Sequence, residues 1–156
     1  MPSRREMLSR SAHVATLLAA VGLFPQLAHA QAAPGFNAEA FAAKNMAEVM
    51  KALGGSAPVE SKDISVTGPD IAENGAVVPI GASTTLPGVK RLLILVEKNP
   101  SVLAAMFNVT DAIDANISTR VKMGQSSNVF AVAVMNDGKV LFAQKEVKVT
   151  LGGCGG

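Results

Sequence analysis

The sequence predicts a mainly β protein: an antiparallel β-sandwich behind one N-terminal helix, ending in a short flexible glycine arm. Three observations carry this. Six or seven short apolar or alternating runs recur between residues 63 and 151, each closed by Gly, Pro or Asn. Only one stretch, from Asn37 to Leu53, spaces its apolar residues as a helix would. The 126 residues that follow a 30-residue targeting segment suit one domain with its own core.

The targeting segment is read from its parts. Ser3-Arg4-Arg5-Glu6-Met7-Leu8 is a twin-arginine pattern, followed by Arg10, an apolar run from Ala12 to Leu27, and Ala28-His29-Ala30 in A-x-A form. The run is too short for a span, and His13, Gly22 and Pro25 interrupt it. The expectation is export to a bacterial periplasm by the twin-arginine route and cleavage after Ala30, with a carrier domain over 31–151 and the arm over 152–156.

The elements follow in order. Asn37 is placed to cap a helix, with Glu39 in its first turn. Ala42, Met46, Val49, Met50 and Leu53 form one apolar stripe, and Gly54-Gly55 stops it. Strands are predicted over Asp63–Thr67, closed by Gly68-Pro69, and over Ala76–Ile80. Pro79 places the latter at an edge, a strand end or a bulge, with the strand and its Val77-Val78 patch a candidate partner surface. Lys90–Glu97, with Leu92-Leu93-Ile94-Leu95-Val96 at its centre, reads as a buried strand ending at Asn99-Pro100. Residues 101–114 fit neither pattern cleanly. From Ile117 to Met123 apolar and polar residues alternate, as in a half-buried strand. Val129–Met135 and Val140–Leu151 flank Asn136-Asp137-Gly138-Lys139, a hairpin signal. In the last strand Val147, Val149 and Leu151 share one face and Glu146, Lys148 and Thr150 the other.

Composition excludes several chemistries. Both histidines, His13 and His29, precede Gln31, and the chain has no Trp or Tyr. After Ala30 no imidazole base or His–Cys pair is available. One cysteine allows neither an intrachain disulfide nor a Cys-based zinc site. The segment to Ala30 holds three of the fourteen basic and one of the twelve acidic residues, which leaves eleven of each. A neutral domain has no footprint for nucleic acid. No cofactor or metal is expected.

That cysteine sits in Gly152-Gly153-Cys154-Gly155-Gly156. Glycine has the largest backbone freedom and buries no side chain, so this arm is expected to stay mobile. A thiol reacts as its thiolate, which a cation, a helix N-terminus or a metal favours. Cys154 has no such neighbour in sequence; the nearest cation is Lys148, and the terminal carboxylate of Gly156 is two residues away. A narrow, unactivated thiol suits a carrier whose visited enzymes supply the activation. Catalytic residues of its own are not expected.

The terminal motif, together with the twin-arginine segment and a β domain of this size, resembles SoxY, the sulfur-carrier subunit of the periplasmic thiosulfate-oxidising system. Val147-Lys148-Val149-Thr150-Leu151 leading into the motif carries most of the resemblance. Asn74-Gly75-Ala76-Val77-Val78-Pro79-Ile80, Glu97-Lys98-Asn99-Pro100 and Val121-Lys122-Met123 support it. The resemblance implies an immunoglobulin-like fold and a heterodimer with a small SoxZ-like β protein that leaves the cytoplasm with it. It implies that Cys154 is the point of covalent substrate attachment. Transient partners would be a haem-containing SoxAX-like protein that couples thiosulfate to Cys154, a manganese-dependent SoxB-like hydrolase that releases sulfate, and a SoxCD-like sulfane dehydrogenase.

Other readings are weaker. A ubiquitin-like sulfur carrier would use the terminal Gly155-Gly156 as a thiocarboxylate, but its adenylation needs cytoplasmic ATP. An exported binding module would leave Cys154 incidental. Asp111 and Asp114 have helical D-x-x-D spacing that a solvated surface or capping role explains far better than acid–base catalysis. Met46 and Met50 suit core packing better than soft-metal binding. Asn108-Val109-Thr110 and Asn116-Ile117-Ser118 match glycosylation sequons, which carry no meaning in a bacterial periplasm.

Overall fold

The run Leu92 to Val96 is buried without a break, so its strand must be covered on both faces. A computed structural model describes residues 36–152 and shows how. The chain divides at Phe36/Asn37, and the fold is that of the unit from Asn37 onward. The predicted targeting segment lies outside the described residues.

Two short helices, α1 (Ala38–Ala42) and α2 (Met46–Leu53), lead into nine described strands. These are β1 (Val59–Glu60), β2 (Ile64–Thr67), β3 (Ile71–Ala72), β4 (Val78–Thr84), β5 (Val89–Val96), β6 (Leu103–Asn108), β7 (Asn116–Val121), β8 (Ser127–Met135) and β9 (Val140–Val149). The larger sheet runs β1-β9-β8-β5-β6, with β3 also on β9; the smaller runs β2-β4-β7. Pairing is antiparallel except where the two-residue strands β1 and β3 lie parallel to β9. The predicted mainly β, immunoglobulin-like sandwich is therefore the observed fold. The unassigned stretch 101–114 contains β6.

Side-chain alternation splits the large sheet between two cores. Leu92, Ile94 and Val96 of β5, Val129, Ala131 and Ala133 of β8, and Val147 of β9 meet Ile64, Val78, Ile80, Ala82 and Val121 from the small sheet and Met123 just past it. Leu93 and Leu95, Val132 and Val134, and Val140 meet Ala40, Ala43, Val49 and Met50 from the helices. Met46 packs partly buried on that second core, so both methionines of the stripe serve packing.

The single predicted helix is two. Ala43 turns to extended backbone (φ −61, ψ 145), and its carbonyl accepts the Val102 amide at 3.3 Å. Asn45 then starts α2: its side chain accepts from the Glu48 amide, while the Glu48 carboxylate accepts from the Lys44 amide and Asn45 Nδ2. This reciprocal cap satisfies donors that a continuous helix would have bonded internally. Burial follows the break: Ala43 is buried, while Ala42, predicted on the stripe, is exposed. Asn37 caps α1 as predicted, and Gly54 ends α2 in the left-handed region at φ 69.

Of the three readings of Pro79, the strand end holds and the edge does not, because β4 begins at Val78 and is the central strand of its sheet. Pairing with β2 reaches only as far as Gly81, and from Val78 to Ile80 β4 has β7 alone beside it. The missing N–H of Pro79 is tolerated because it lies at the strand's start, beyond the end of β2. The predicted hairpin joins β8 to β9. Gly138 takes φ 87, the Met135 amide donates to the Lys139 carbonyl at 2.9 Å, and Asp137 caps the Lys139 amide.

Two substitutions test this packing by denaturant unfolding. Ile94→Ala, in the inter-sheet core, is expected to cost about 2–5 kcal/mol through lost burial and a cavity. Asn45→Ala should cost about 1 kcal/mol, the loss of one helix cap.

Candidate functional site

Cys154 and Gly153, Gly155 and Gly156 lie outside the described residues. What the structure places is the root from which they extend. β9 ends at Val149, two residues short of the predicted end, and Leu151 is two-thirds exposed rather than in line with Val147 and Val149. Thr150, Leu151 and Gly152 run on as irregular backbone against two loops, the second of them braced by a third.

The first loop precedes β4. The Asp70 carbonyl accepts the Lys148 amide at 2.9 Å, and the Ala72 carbonyl accepts the Thr150 amide at 3.1 Å. Thr150 Oγ1 donates to the Glu73 carbonyl, and the Gly75 amide donates to the Leu151 carbonyl at 2.7 Å. The Lys145 ammonium meets the Asp70 carboxylate at 2.6 Å. That hydrogen bond, and then the charge behind it, hold the Asp70 carboxyl below its ordinary 3.8.

The second loop joins β7 to β8. Ser126 Oγ accepts the Val149 amide at 2.9 Å. The Met123 amide donates to the Gly75 carbonyl, which ties the first two loops together. Gly152 lies so close to Gly124 that a Cβ on Gly152 would overlap the Gly124 carbonyl oxygen. The obstacle is backbone, so it cannot swing aside, and glycine is required there. The third loop, between β5 and β6, supplies Asn99. Its Nδ2 donates to the Lys122 carbonyl at 2.6 Å and its Oδ1 accepts the Gly124 amide at 3.2 Å. Ser127 Oγ accepts the Lys98 amide beside it.

The three internal segments that resembled SoxY therefore meet here, through Gly75, Asn99 and Lys122–Met123. The sequence offered no separate signal for this role. Asn99 read as a turn residue, and nothing local tells a turn asparagine from one whose amide bridges two residues of a distant loop. Gly124 and Ser126 were not singled out at all.

Three of the six exposed large hydrophobic residues among those described surround the root: Ile71, Val77 and Leu151. The Val77–Val78 patch divides, with Val77 exposed and Val78 wholly buried in the inter-sheet core. A cleft of about 410 Å³ opens beside Asn99, lined by Pro100, Ser101, Leu103, Ala104, Arg120, Val121 and Lys122. Asp111 and Asp114 are exposed in the loop between β6 and β7, at the other end of β7, and that loop is not a helix. Among the described residues no group of three carboxylate, Cys or His side chains is placed to hold a metal.

The described part of the β-sandwich ends at a closely packed Gly152, the first residue of the sequence motif Gly152-Gly153-Cys154-Gly155-Gly156. The chain belongs to the SoxY family: the family described as Sulfur oxidation protein SoxY matches residues 49–154, which include Cys154. Among solved structures it is similar to the sulfur carrier protein SoxY from Chlorobium limicola f thiosulfatophilum. The identity is 34%, the TM-score 0.59, and the match covers 66% of this chain and 93% of that one. Superoxide reductase (neelaredoxin) from Ignicoccus hospitalis also matches, at 16% identity and a TM-score of 0.47, over 55% of this chain and 79% of that one. No curated protein matches.

Two measurements test the root. Asn99→Ala should leave the Gly124 amide without its acceptor and speed its hydrogen exchange about tenfold, the loss of roughly one hydrogen bond. The Asp70–Lys145 pair has a depressed acid-side pKa, so its contribution is complete above pH ~4 and is lost as pH falls through the lowered value. The Lys148 amide resonance should report that loss, and in Asp70→Asn the acid-side change should vanish.

Proposed function

We propose that this chain is a covalent carrier of sulfur intermediates, with Cys154 as the attachment point and Gly153, Gly155 and Gly156, beyond a fixed Gly152, as a swinging arm. The observation that carries this reading is the clamp on Gly152, two residues before the sole cysteine, in a chain of the SoxY family. A rigid root with glycines beyond it gives a thiol reach without loss of direction.

The chain brings no base of its own to Cys154. Partners supply the chemistry, and the chain is a substrate-bearing subunit rather than a catalyst. Coupling joins the Cys154 thiolate to the outer sulfur of thiosulfate, giving Cys–S–S–SO₃⁻, while two electrons leave to a SoxAX-like haem protein. Hydrolysis by a SoxB-like enzyme breaks the S–SO₃ bond, releasing sulfate and two protons and leaving a persulfide. A SoxCD-like enzyme then oxidises the remaining sulfur. The glycine arm offers little for these enzymes to read. The apolar residues Ile71, Val77 and Leu151 around its root supply a recognition surface on the folded domain. A SoxZ-like β protein forms the stable heterodimer, and the twin-arginine segment exports both to the periplasm.

Intact-mass measurement tests the reading. Protein exposed to thiosulfate and an oxidising haem partner should gain adducts in steps of sulfur or sulfonate. These should map to the Cys154 peptide, disappear with reductant, and be absent from Cys154→Ala. A thiosulfate-independent, unmodified mass would sink the carrier role, and full activity of Cys154→Ala would instead support an exported binding module.

A further inference from the structure

The cleft beside Asn99 joins two surfaces of different character. Pro100, Leu103, Ala104 and Val121 make an apolar wall, and Arg120 and Lys122 stand on β7 and just past its end. Neither cation has a salt bridge among the described residues, where the ion pairs are Lys139–Asp137 and Lys145–Asp70. Glu97, the carboxylate nearest in sequence to Asn99, accepts from Asn128 Nδ2. The backbone under Lys122 is fixed by the Asn99 amide at 2.6 Å. The cleft is next to the arm root: Gly152 abuts the Gly124 carbonyl, and the Gly124 amide is bound by Asn99, which lines the cleft. One glycine separates the root from the near wall. An extended residue advances 3.3–3.6 Å, so the two residues from Gly152 to Cys154 reach about 7 Å, and the Cys154 side chain with its adduct extends farther.

We infer that this cleft is a parking site for the anionic, loaded form of Cys154, a conclusion that rests on the carrier reading. The ligand class is an S-linked thiosulfonate, an uncharged sulfur stem ending in a sulfonate. The stem lies along Leu103, Ala104 and Val121, and the sulfonate oxygens meet the Arg120 guanidinium and the Lys122 ammonium. An unloaded thiol has no sulfonate for the cations to hold, so the cleft distinguishes the two states. It retains the arm while it bears a sulfonate and releases it once that group has been removed.

The test uses the purified protein and tetrathionate. The Cys154 thiolate attacks an inner sulfur of tetrathionate, forming Cys–S–S–SO₃⁻ and expelling thiosulfate, with no other oxidant needed. Amide NMR should then show loading-dependent shifts at Asn99, Arg120 and Lys122. In the double variant Arg120→Ala/Lys122→Ala, loaded to the same mass, the Asn99 shift should be lost. A neutral phosphine should strip the double variant's adduct about three- to five-fold faster, as expected for losing one or two exposed charge contacts, and high salt should erase the difference. Shifts confined to residues beyond Val149, with equal stripping rates, would overturn the site. Titrating inorganic thiosulfate into Cys154→Ala separates the two claims. Saturable shifts at Arg120 and Lys122 would support the cleft even if Cys154 refused a sulfur adduct and the carrier role fell. No shift there, in a protein whose Cys154 loads normally, would leave the carrier role standing and remove the parking site.

Discussion

The fold depends on one strand being buried twice. Leu93 and Leu95 of β5 face one way, Leu92, Ile94 and Val96 the other, and all five are excluded from solvent. No single sheet satisfies that, so β5 and its neighbour β8 need a layer on each side: α1 and α2 on one, β2-β4-β7 on the other. At about 25 cal/mol per Å² of apolar surface removed from water, these two interfaces dominate the favourable energy. The remaining elements are placed by the need to close them.

The arm root follows from that arrangement. With β5 and β8 central, β9 lies on the far side of β8, and only the two-residue strands β1 and β3 border its outer edge. Its last residues leave the sheet between the loop before β4 and the loop after β7, which the small sheet brings to the same end. Packing that serves the core thus also delivers Gly75, Gly124 and Ser126 to the backbone of Val149–Gly152, with Asn99 bracing Gly124 from behind. The root is held by main-chain bonds together with the side chains of Thr150, Ser126 and Asn99. It keeps its geometry while leaving side chains free around it: apolar ones at Ile71, Val77 and Leu151, cationic ones at Arg120 and Lys122.

Much of this was legible in the chain. Period-two alternation from Ile117 to Met123 and the Asn-Asp-Gly turn specified strands and a hairpin, because side-chain direction and turn chemistry are local. The misreadings have a common cause. The helix stripe over Ala42 and Met46 was sound as a pattern, but Val102 takes the Ala43 carbonyl and Glu48 closes a new cap, both decided outside the pattern. Pro79 correctly signalled missing pairing; where it falls relative to β2 depends on the length of another strand.

What the sequence determined by itself is the chemistry: one thiol among four glycines, no imidazole after Ala30, and strand patterns sufficient for a sandwich. Each follows from residue identity and nearest neighbours. Only the tertiary structure decided that Asn99, Gly75, Gly124 and Ser126 gather at the last strand, and that Arg120 and Lys122 border a cleft one residue from Gly152. Those juxtapositions join positions 23 to 76 residues apart. They exist because two sheets and a helical layer must close around β5, a constraint that no local stretch of sequence contains.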